Sequence, residues 1–240
     1  LGAGNPDVVT TGIEHILFDG IGSAADLTVD LGNGMATARV DVSPLSNTDR
    51  VVSNVLPTVL FTDVNDFQLE GGNEPTTATF AAAGLEGADT YTFDSKSDGD
   101  RLIVEGTEDV DTMTVSVDGG GNLQVDNVYG LVPVADTINT IGMDITDELA
   151  LYTLGGADLI TVDVDSPNSP VFVDGGNPIG VIPGDTLVVK QAFAFFAGPE
   201  VDEGGFFTLG GTVSYDHIES LVVDTPDNGN GGCTFIIFGT

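Results

Sequence analysis

The fold prediction starts from the stretch Gly156-Ala157-Asp158-Leu159-Ile160-Thr161-Val162-Asp163. A small residue and an Asp precede a run in which apolar residues alternate with Thr, which is the pattern of a β-strand with one buried face. Close copies occupy residues 24–30 and 87–94, and looser copies occupy residues 110–115 and 184–189. Each copy predicts a strand that begins just after its Asp.

The spacing of this phrase predicts the architecture. Its aligned Asp residues stand at positions 26, 89, 111, 158 and 185, and three of the gaps are 22, 47 and 27 residues. The longest of these three gaps spans about two copies, with residues 136–138 near its centre. Units of this length are typical of stacked coils. We therefore predict an all-β, β-helix-like parallel β-solenoid built from degenerate 22–27-residue coils.

The predicted solenoid forms a single elongated domain over residues 1–240, and a subdivision near residues 70–84 stays open. The strand candidates are bounded by Gly, Asp, Asn and Pro, and no convincing helical period occurs. Short strands spaced about 8–12 residues apart also suit an antiparallel β-sandwich, which is the alternative fold.

The charge is one-sided and restricts the partners. Five Lys and Arg residues stand against 38 Asp and Glu, which gives a net charge of −33. So few cations cannot neutralise a nucleic-acid backbone, and an anionic membrane would repel the chain. Divalent cations, cationic surfaces and salty solvent remain as surroundings that suit this charge.

The chain shows no targeting or spanning segment. It begins at Leu1 without a signal-peptide pattern, and it has no apolar run of membrane-spanning length. We interpret it as a processed form or a piece of a longer protein. Cys233 is the single cysteine, so no intrachain disulfide is possible.

Three recurring phrases together resemble a known class of protein. They are Ile-Glu followed by an apolar strand (residues 13–18 and 218–223), Gly-Ala-Asp followed by Thr-Val (residues 156–162), and Val-Asp-Gly-Gly followed by Gly-Asp-Thr-Leu (residues 173–187). This combination resembles the degenerate repeats of large bacterial surface proteins of planctomycete and marine type, which are adhesin-like or autotransporter-passenger-like. The resemblance implies a parallel β-solenoid, an extracellular location and often calcium. The chain lacks the tandem nonapeptides of a calcium-filled roll and has only fragments such as residues 118–122.

Acidic loops after the repeated strand are the candidate calcium sites. Calcium prefers six to eight hard oxygen ligands, and these loops supply carboxylates and neutral oxygens. The predicted ligands are Asp94, Asp98, Asp100, Asp163, Asp165 and Asp185. Asp and Ser also populate solvated turns, so a metal-free acidic turn stays open for each loop.

No catalytic constellation stands out, and we expect no enzyme. His15 and His217 both lie in the Ile-Glu phrase, and such repetition favours a structural role. The chain lacks a nucleophile elbow, a His-Glu-x-x-His motif and a phosphate loop. One segment is dense in aromatic residues, which predicts packing in the core or, as the alternative, an exposed apolar patch for subunit contact. Its members are Phe193, Phe195, Phe196, Phe206 and Phe207.

These observations predict a noncatalytic extracellular module, structural or adhesive, of a bacterial surface layer (S-layer), fibre or adhesin. We expect an acidic, calcium-stabilised body that associates with copies of itself or with flanking domains, and neither binds nucleic acid nor spans a membrane. The predicted assembly strand, a candidate for strand addition, is Thr234, Phe235, Ile236, Ile237 and Phe238. Two alternatives remain: a β-helix protein that binds or cleaves carbohydrate, and a halophile surface protein whose acidity serves salt tolerance only.

Overall fold

The computed structural model describes eleven segments of the chain, and all their regular structure is β-strand. The described residues are 15–20, 25–45, 47–81, 84–129, 134–163, 168–179, 184–190, 195–196, 204–207, 212–224 and 234–238. Within them, no helix has the length and apolar character needed to cross a bilayer.

The first sheet has eleven strands. Their spatial order is β1 (His15–Asp19), β5 (Thr58–Thr62), β4 (Asp49–Ser53), β3 (Ala36–Val42), β7 (Thr76–Ala81), β9 (Arg101–Glu105), β13 (Glu148–Tyr152), β15 (Val171–Asp174), β19 (Thr212–Asp216), β18 (Gly204–Phe207) and β17 (Phe195–Phe196).

The second sheet has ten strands. Their spatial order is β2 (Leu27–Asp30), β6 (Val64–Glu70), β8 (Ala88–Asp94), β12 (Val134–Ile141), β11 (Leu123–Tyr129), β10 (Asp111–Val117), β14 (Leu159–Asp163), β16 (Thr186–Lys190), β20 (Ser220–Asp224) and β21 (Thr234–Phe238).

Most strand pairs are parallel because the chain crosses repeatedly between the two sheets. From β6 to β10, and again from β13 to β16, successive strands alternate between the second and first sheets. Twelve of the nineteen strand pairs in the described part are therefore parallel. The remaining seven are antiparallel.

The prediction of a parallel β-solenoid with 22–27-residue coils is wrong. Both sheets are mixed, since β3, β4 and β5 fold back on one another in the first sheet, and β10, β11 and β12 do so in the second. Strands of a hairpin and strands of a crossover share the same two-residue alternation, so the repeated phrase did not distinguish them. Two facing sheets fit the sandwich alternative better, although most strand pairs within them are parallel rather than antiparallel.

One apolar core lies between the sheets. Phe61 of β5, in the first sheet, stacks on Phe67 of β6, in the second, with ring centroids 4.4 Å apart. Phe80 of β7 meets the edge of Tyr91 of β8 with centroids 6.5 Å apart. Inward residues are buried and outward residues are mostly polar along nearly every strand, so burial of apolar area is the main source of stability.

The predicted assembly segment is a strand. Residues 234–238 form β21, which pairs antiparallel with β20 and is the last strand of the second sheet among the described residues. Its role in assembly remains a prediction.

Candidate functional site

Four acidic residues stand in a column at the start of four adjacent strands in the second sheet. Asp111 opens β10, and Asp158, Asp185 and Glu219 immediately precede β14, β16 and β20. The register pairs Thr112 with Leu159, Leu159 with Thr186 and Thr186 with Ser220, so the four acids lie side by side across the sheet. We call this set the carboxylate column.

Three of the four carboxylates in the column accept a hydrogen bond from the backbone N–H of the acid on the neighbouring strand. The N–H of Asp111 donates to Asp158 Oδ1 over 2.7 Å, and that of Asp158 donates to Asp185 Oδ1 over 2.8 Å. The N–H of Asp185 donates to Glu219 Oε2 over 2.8 Å. At the other end, Asp111 accepts from the N–H of Thr107 over 2.6 Å. The column therefore fastens consecutive strands where the sheet ladder begins.

The column is buried along its whole length. Asp158 and Asp185 are 2% and 0% exposed, and the Oδ2 atom of each has no hydrogen-bond partner. A glycine covers the column: a Cβ on Gly175 would lie 2.9 Å from Asp185 Oδ2. Gly156, which precedes Asp158 in the phrase, leaves room in the same way, since a Cβ there would lie 2.8 Å from Asp158 Oδ1.

Burial also controls the charge of the column. It raises the pKa of Asp158 to about 6 and that of Asp185 to about 7. The backbone N–H donors partly offset this rise in pKa, and neighbouring carboxylates add to it. A raised carboxyl pKa means that the folded state holds the proton more tightly than the unfolded chain does.

The same arrangement recurs at the start of the first-sheet strands. Asp100 precedes β9 and Asp147 precedes β13, and both are almost fully buried. The N–H of Thr76 donates to Asp100 Oδ1 over 2.7 Å, and the N–H of Asp100 donates to Asp147 Oδ1 over 2.9 Å. The hydroxyl oxygen of Ser95 lies 2.9 Å from Asp100 Oδ2 and 3.1 Å from Asp147 Oδ2, so its single O–H lies between the two carboxylates.

The repeated phrase does not place all of its Asp residues in this setting. Asp26 and Asp89 are exposed, unlike Asp111, Asp158 and Asp185. Next to Asp89, the buried carboxylate comes from Asp49 of β4 instead. Asp49 accepts the N–H of Gly87 over 2.8 Å and the hydroxyl of Tyr91 over 2.5 Å.

Five of these buried acids were not among the predicted site residues: Asp111 and Asp158, which the phrase contains, and Asp49, Asp147 and Glu219, which lie outside its copies. Asp49 comes from an antiparallel strand, Asp147 follows no copy of the phrase, and Glu219 belongs to the Ile-Glu phrase. The sequence did carry a signal for Asp49, Asp147 and Glu219. Each is an acid that stands at the first residue of an alternating strand or directly before it.

The predicted calcium ligands in residues 94–100 have separate partners. Asp94 pairs with Lys96 over 2.5 Å and accepts from Gln68 over 2.7 Å. Asp100 is occupied by backbone N–H and hydroxyl donors. Asp98 is exposed in the turn. The loop thus brings acids near one another, but two of the three carboxylates already have donors.

The remaining predicted ligands are dispersed. Asp163 is exposed and pairs with Lys190 over 3.1 Å, Asp185 belongs to the carboxylate column, and Asp165 lies outside the described residues. Over the described ranges, no three His, Cys, Asp or Glu side chains converge as a metal site. Calcium binding at these residues stays a prediction.

The histidines occupy different places in the sheets. His15 is exposed in β1, at one end of the first sheet. His217 lies between β19 and β20, and its Nδ1 is 2.8 Å from Asp174 Oδ1. Of the aromatic segment, residues 195–196 and 204–207 form β17 and β18, and Phe193 lies outside the described residues.

All five cations of the chain are paired on the molecule's exterior. Each is within 4.0 Å of an acid: Arg39 with Asp41 and Glu105, Arg50 with Asp41, Lys96 with Asp94 and Glu70, Arg101 with Glu148, and Lys190 with Asp163. The buried residues Asp111, Asp158 and Asp185 are not among these ion pairs, so hydrogen bonds and protons must stabilise them.

Comparison of the chain with protein-family models, with curated proteins and with solved structures finds no match.

Stability should fall as the pH rises, because Asp158 and Asp185 must lose their protons in a buried setting. A carboxyl group whose pKa is higher in the folded state stabilises the fold most at a pH below its pKa in the unfolded chain. This stabilisation is lost as the pH rises to the folded-state pKa, which is about 6 for Asp158 and about 7 for Asp185. We expect the free energy of unfolding in urea to be lower at pH 8 than at pH 5, with these two groups accounting for about 2–4 kcal/mol.

The double variant Asp158→Asn, Asp185→Asn should flatten this pH dependence, since each amide keeps the accepting oxygen and cannot ionise. Part of the pH dependence should remain, because burial also raises the pKa of Asp136 to about 7. The control is Asp89→Asn, an exposed Asp of the same phrase, which should leave the slope unchanged. Equal slopes in the double variant and the wild-type protein would contradict the account.

Proposed function

We propose that this chain is a noncatalytic structural module of an extracellular bacterial surface protein. The observation that carries the proposal is the use of the buried acids. Asp100, Asp111, Asp158 and Asp185 each have at least one oxygen bonded to a backbone N–H, at the point where a strand enters its sheet. A catalytic carboxylate needs a free oxygen facing a substrate, whereas these acids lie within the body and bond neighbouring strands together.

The exposed acids support a second part of the proposal, which is tolerance of salty surroundings. The net charge is −33, and all five cations are already paired. Exposed carboxylates such as Asp89, Asp98 and Asp109 then repel one another in dilute solution. We infer that the surface acidity keeps the module hydrated and compact at high ionic strength.

Self-association through β21 belongs to the same proposal. The strand lies at the end of the second sheet among the described residues, and an end strand offers backbone groups to a further strand. Copies of the chain, or neighbouring domains of a longer protein, are the partners that such an edge suits.

Salt should stabilise the protein without any requirement for calcium. Raising NaCl from about 0.1 M to about 2 M shortens the screening length from about 10 Å to about 2–3 Å, so the repulsion between exposed carboxylates falls. In the presence of EGTA, the midpoint of thermal unfolding should rise steadily, and KCl should act like NaCl.

A matched variant shows whether the exposed acids cause the effect. Asp89→Asn, Asp98→Asn, Asp109→Asn removes three exposed charges and should reduce the dependence of the midpoint on salt. A midpoint that does not change with NaCl, or a triple variant with the wild-type slope, would count against the salt role.

Carbohydrate binding is the second candidate function, and one surface favours it. On the outer face of the first sheet, Tyr152 and Phe172 lie with ring centroids 5.8 Å apart. Arg101 lies over the Tyr152 ring at 5.9 Å and bonds Glu148 over 2.5 Å. Aromatic rings that offer apolar faces, next to charged hydrogen-bonding groups, are the usual components of a site that orients a polar ligand.

A glycan array tests this second candidate directly. If the outer face binds sugar, the wild-type protein should retain at least one glycan, and Tyr152→Ala should lose that signal while its circular dichroism stays unchanged. An array without any retained glycan, or a signal that Tyr152→Ala leaves intact, would exclude this surface as a carbohydrate site.

A further inference from the structure

A polar cluster lies inside the body, on two neighbouring antiparallel strands of the second sheet. Asn127 of β11 stands directly opposite Asp136 of β12, and Tyr129 follows two residues along β11. All three side chains are buried, with 0%, 8% and 7% exposure for Asn127, Asp136 and Tyr129. We call these three residues the interior polar cluster.

The cluster has unused hydrogen-bonding capacity. Asp136 Oδ2, the Tyr129 hydroxyl and both polar atoms of the Asn127 amide lack a hydrogen-bond partner of good geometry. Burial raises the pKa of the Tyr129 phenol, and the Asn127 amide lies close enough to the hydroxyl to offset part of that rise. The Asp136 carboxylate is held in place from its other side by the backbone N–H groups of Gly84 and Leu85. Buried polar groups are nearly always paired, so four atoms without a well-placed partner on three adjacent residues indicate a bound species.

The local charge indicates the sign of that species. Asp49 and Glu86 are close enough to Asp136 to repel it, and Asp111 interacts with Tyr129 in the same way. Every Lys and Arg is paired with an acid on the exterior. The cluster is therefore an electronegative interior region that the protein's own cations do not compensate.

The donor atoms indicate the class of cation. The cluster offers a carboxylate oxygen, an amide oxygen and a phenol oxygen, and it offers no thiolate or imidazole. Hard cations prefer such oxygens, and calcium accepts irregular sets completed by water, whereas magnesium demands a near-ideal octahedron. Two of the three oxygens come from neutral side chains, so the group differs from a site built of clustered acids and histidines, which is absent from the described residues.

We propose that Asn127, Tyr129 and Asp136 bind a calcium-type cation between the sheets. The site is separate from the acidic loops and does not depend on the proposed structural function. Its cation would join β11 and β12 through their inward side chains, where Asp136 already anchors the segment of Gly84 and Leu85.

Terbium luminescence tests the site, because Tb³⁺ replaces Ca²⁺ and is excited through a nearby tyrosine. The chain has no Trp and four Tyr residues, so the excitation comes from tyrosine alone. At fixed ionic strength and about pH 8, Tb³⁺ should give tyrosine-sensitised emission that Ca²⁺ displaces. Asp136→Asn should weaken the affinity by at least about tenfold, since even groups that only support a ligand change affinity by 10–100-fold.

Two controls separate the interior from the surface. Asp126→Asn removes the carboxylate next to Asn127 on the outer face of the same strand, and Tyr152→Phe removes a phenol hydroxyl on the exterior. Both should keep the wild-type affinity for Tb³⁺. Tyr129→Phe deletes one oxygen and also the nearest sensitising phenol, so its affinity is measured by calorimetric titration with Ca²⁺, and it should be weaker than that of the wild-type protein even if Asp136→Asn fails to fold. The proposal would be overturned if the wild-type protein gave no sensitised emission, or if Asp136→Asn and Tyr129→Phe bound the ion as tightly as the wild-type protein does. Water would then be the occupant.

Discussion

The bond between a buried carboxylate and the backbone N–H of the neighbouring strand is the interaction on which the architecture depends. A sheet ladder satisfies backbone groups only within its strands, and the residue that enters each strand has an N–H to satisfy. Asp158, Asp185 and Glu219 each accept that N–H from the previous strand of the column. The carboxylate that precedes one strand thus accepts the first backbone N–H of its neighbour. This bond fixes the register of the two strands at the point where both begin.

Burying a carboxylate costs free energy, and this cost accounts for the glycines around the column and for its raised pKa values. A buried carboxylate needs donors and space, so backbone N–H groups converge on it and glycines such as Gly175 leave room for it. It also resists ionisation, and the raised pKa values of Asp158 and Asp185 follow. The apolar contacts between the sheets, such as Phe61 on Phe67, supply the stability that offsets these costs.

The sequence was informative about strands and less so about their connections. The phrase around Asp158 predicts its strand correctly, and the same holds for Asp111 and Asp185. Its spacing led to a wrong solenoid, because the hairpin strands β4, β5, β11 and β12 show the same alternation as the crossover strands. The acids at positions 26 and 89 belong to the phrase but are exposed. Asp49 stood at the start of an alternating strand, but its partners Gly87 and Tyr91 are distant in sequence, and no local pattern indicated the burial of Asn127.

Hydrogen exchange at the column tests the central claim most directly. Backbone amides that exchange only by global unfolding are held by the most stable part of a structure. By two-dimensional NMR in D₂O, the amide hydrogens of Asp111, Asp158 and Asp185 should exchange as slowly as those in the middle of β14. If they exchange as fast as the amide of exposed Gly34, the carboxylates do not fasten the strands and the account fails.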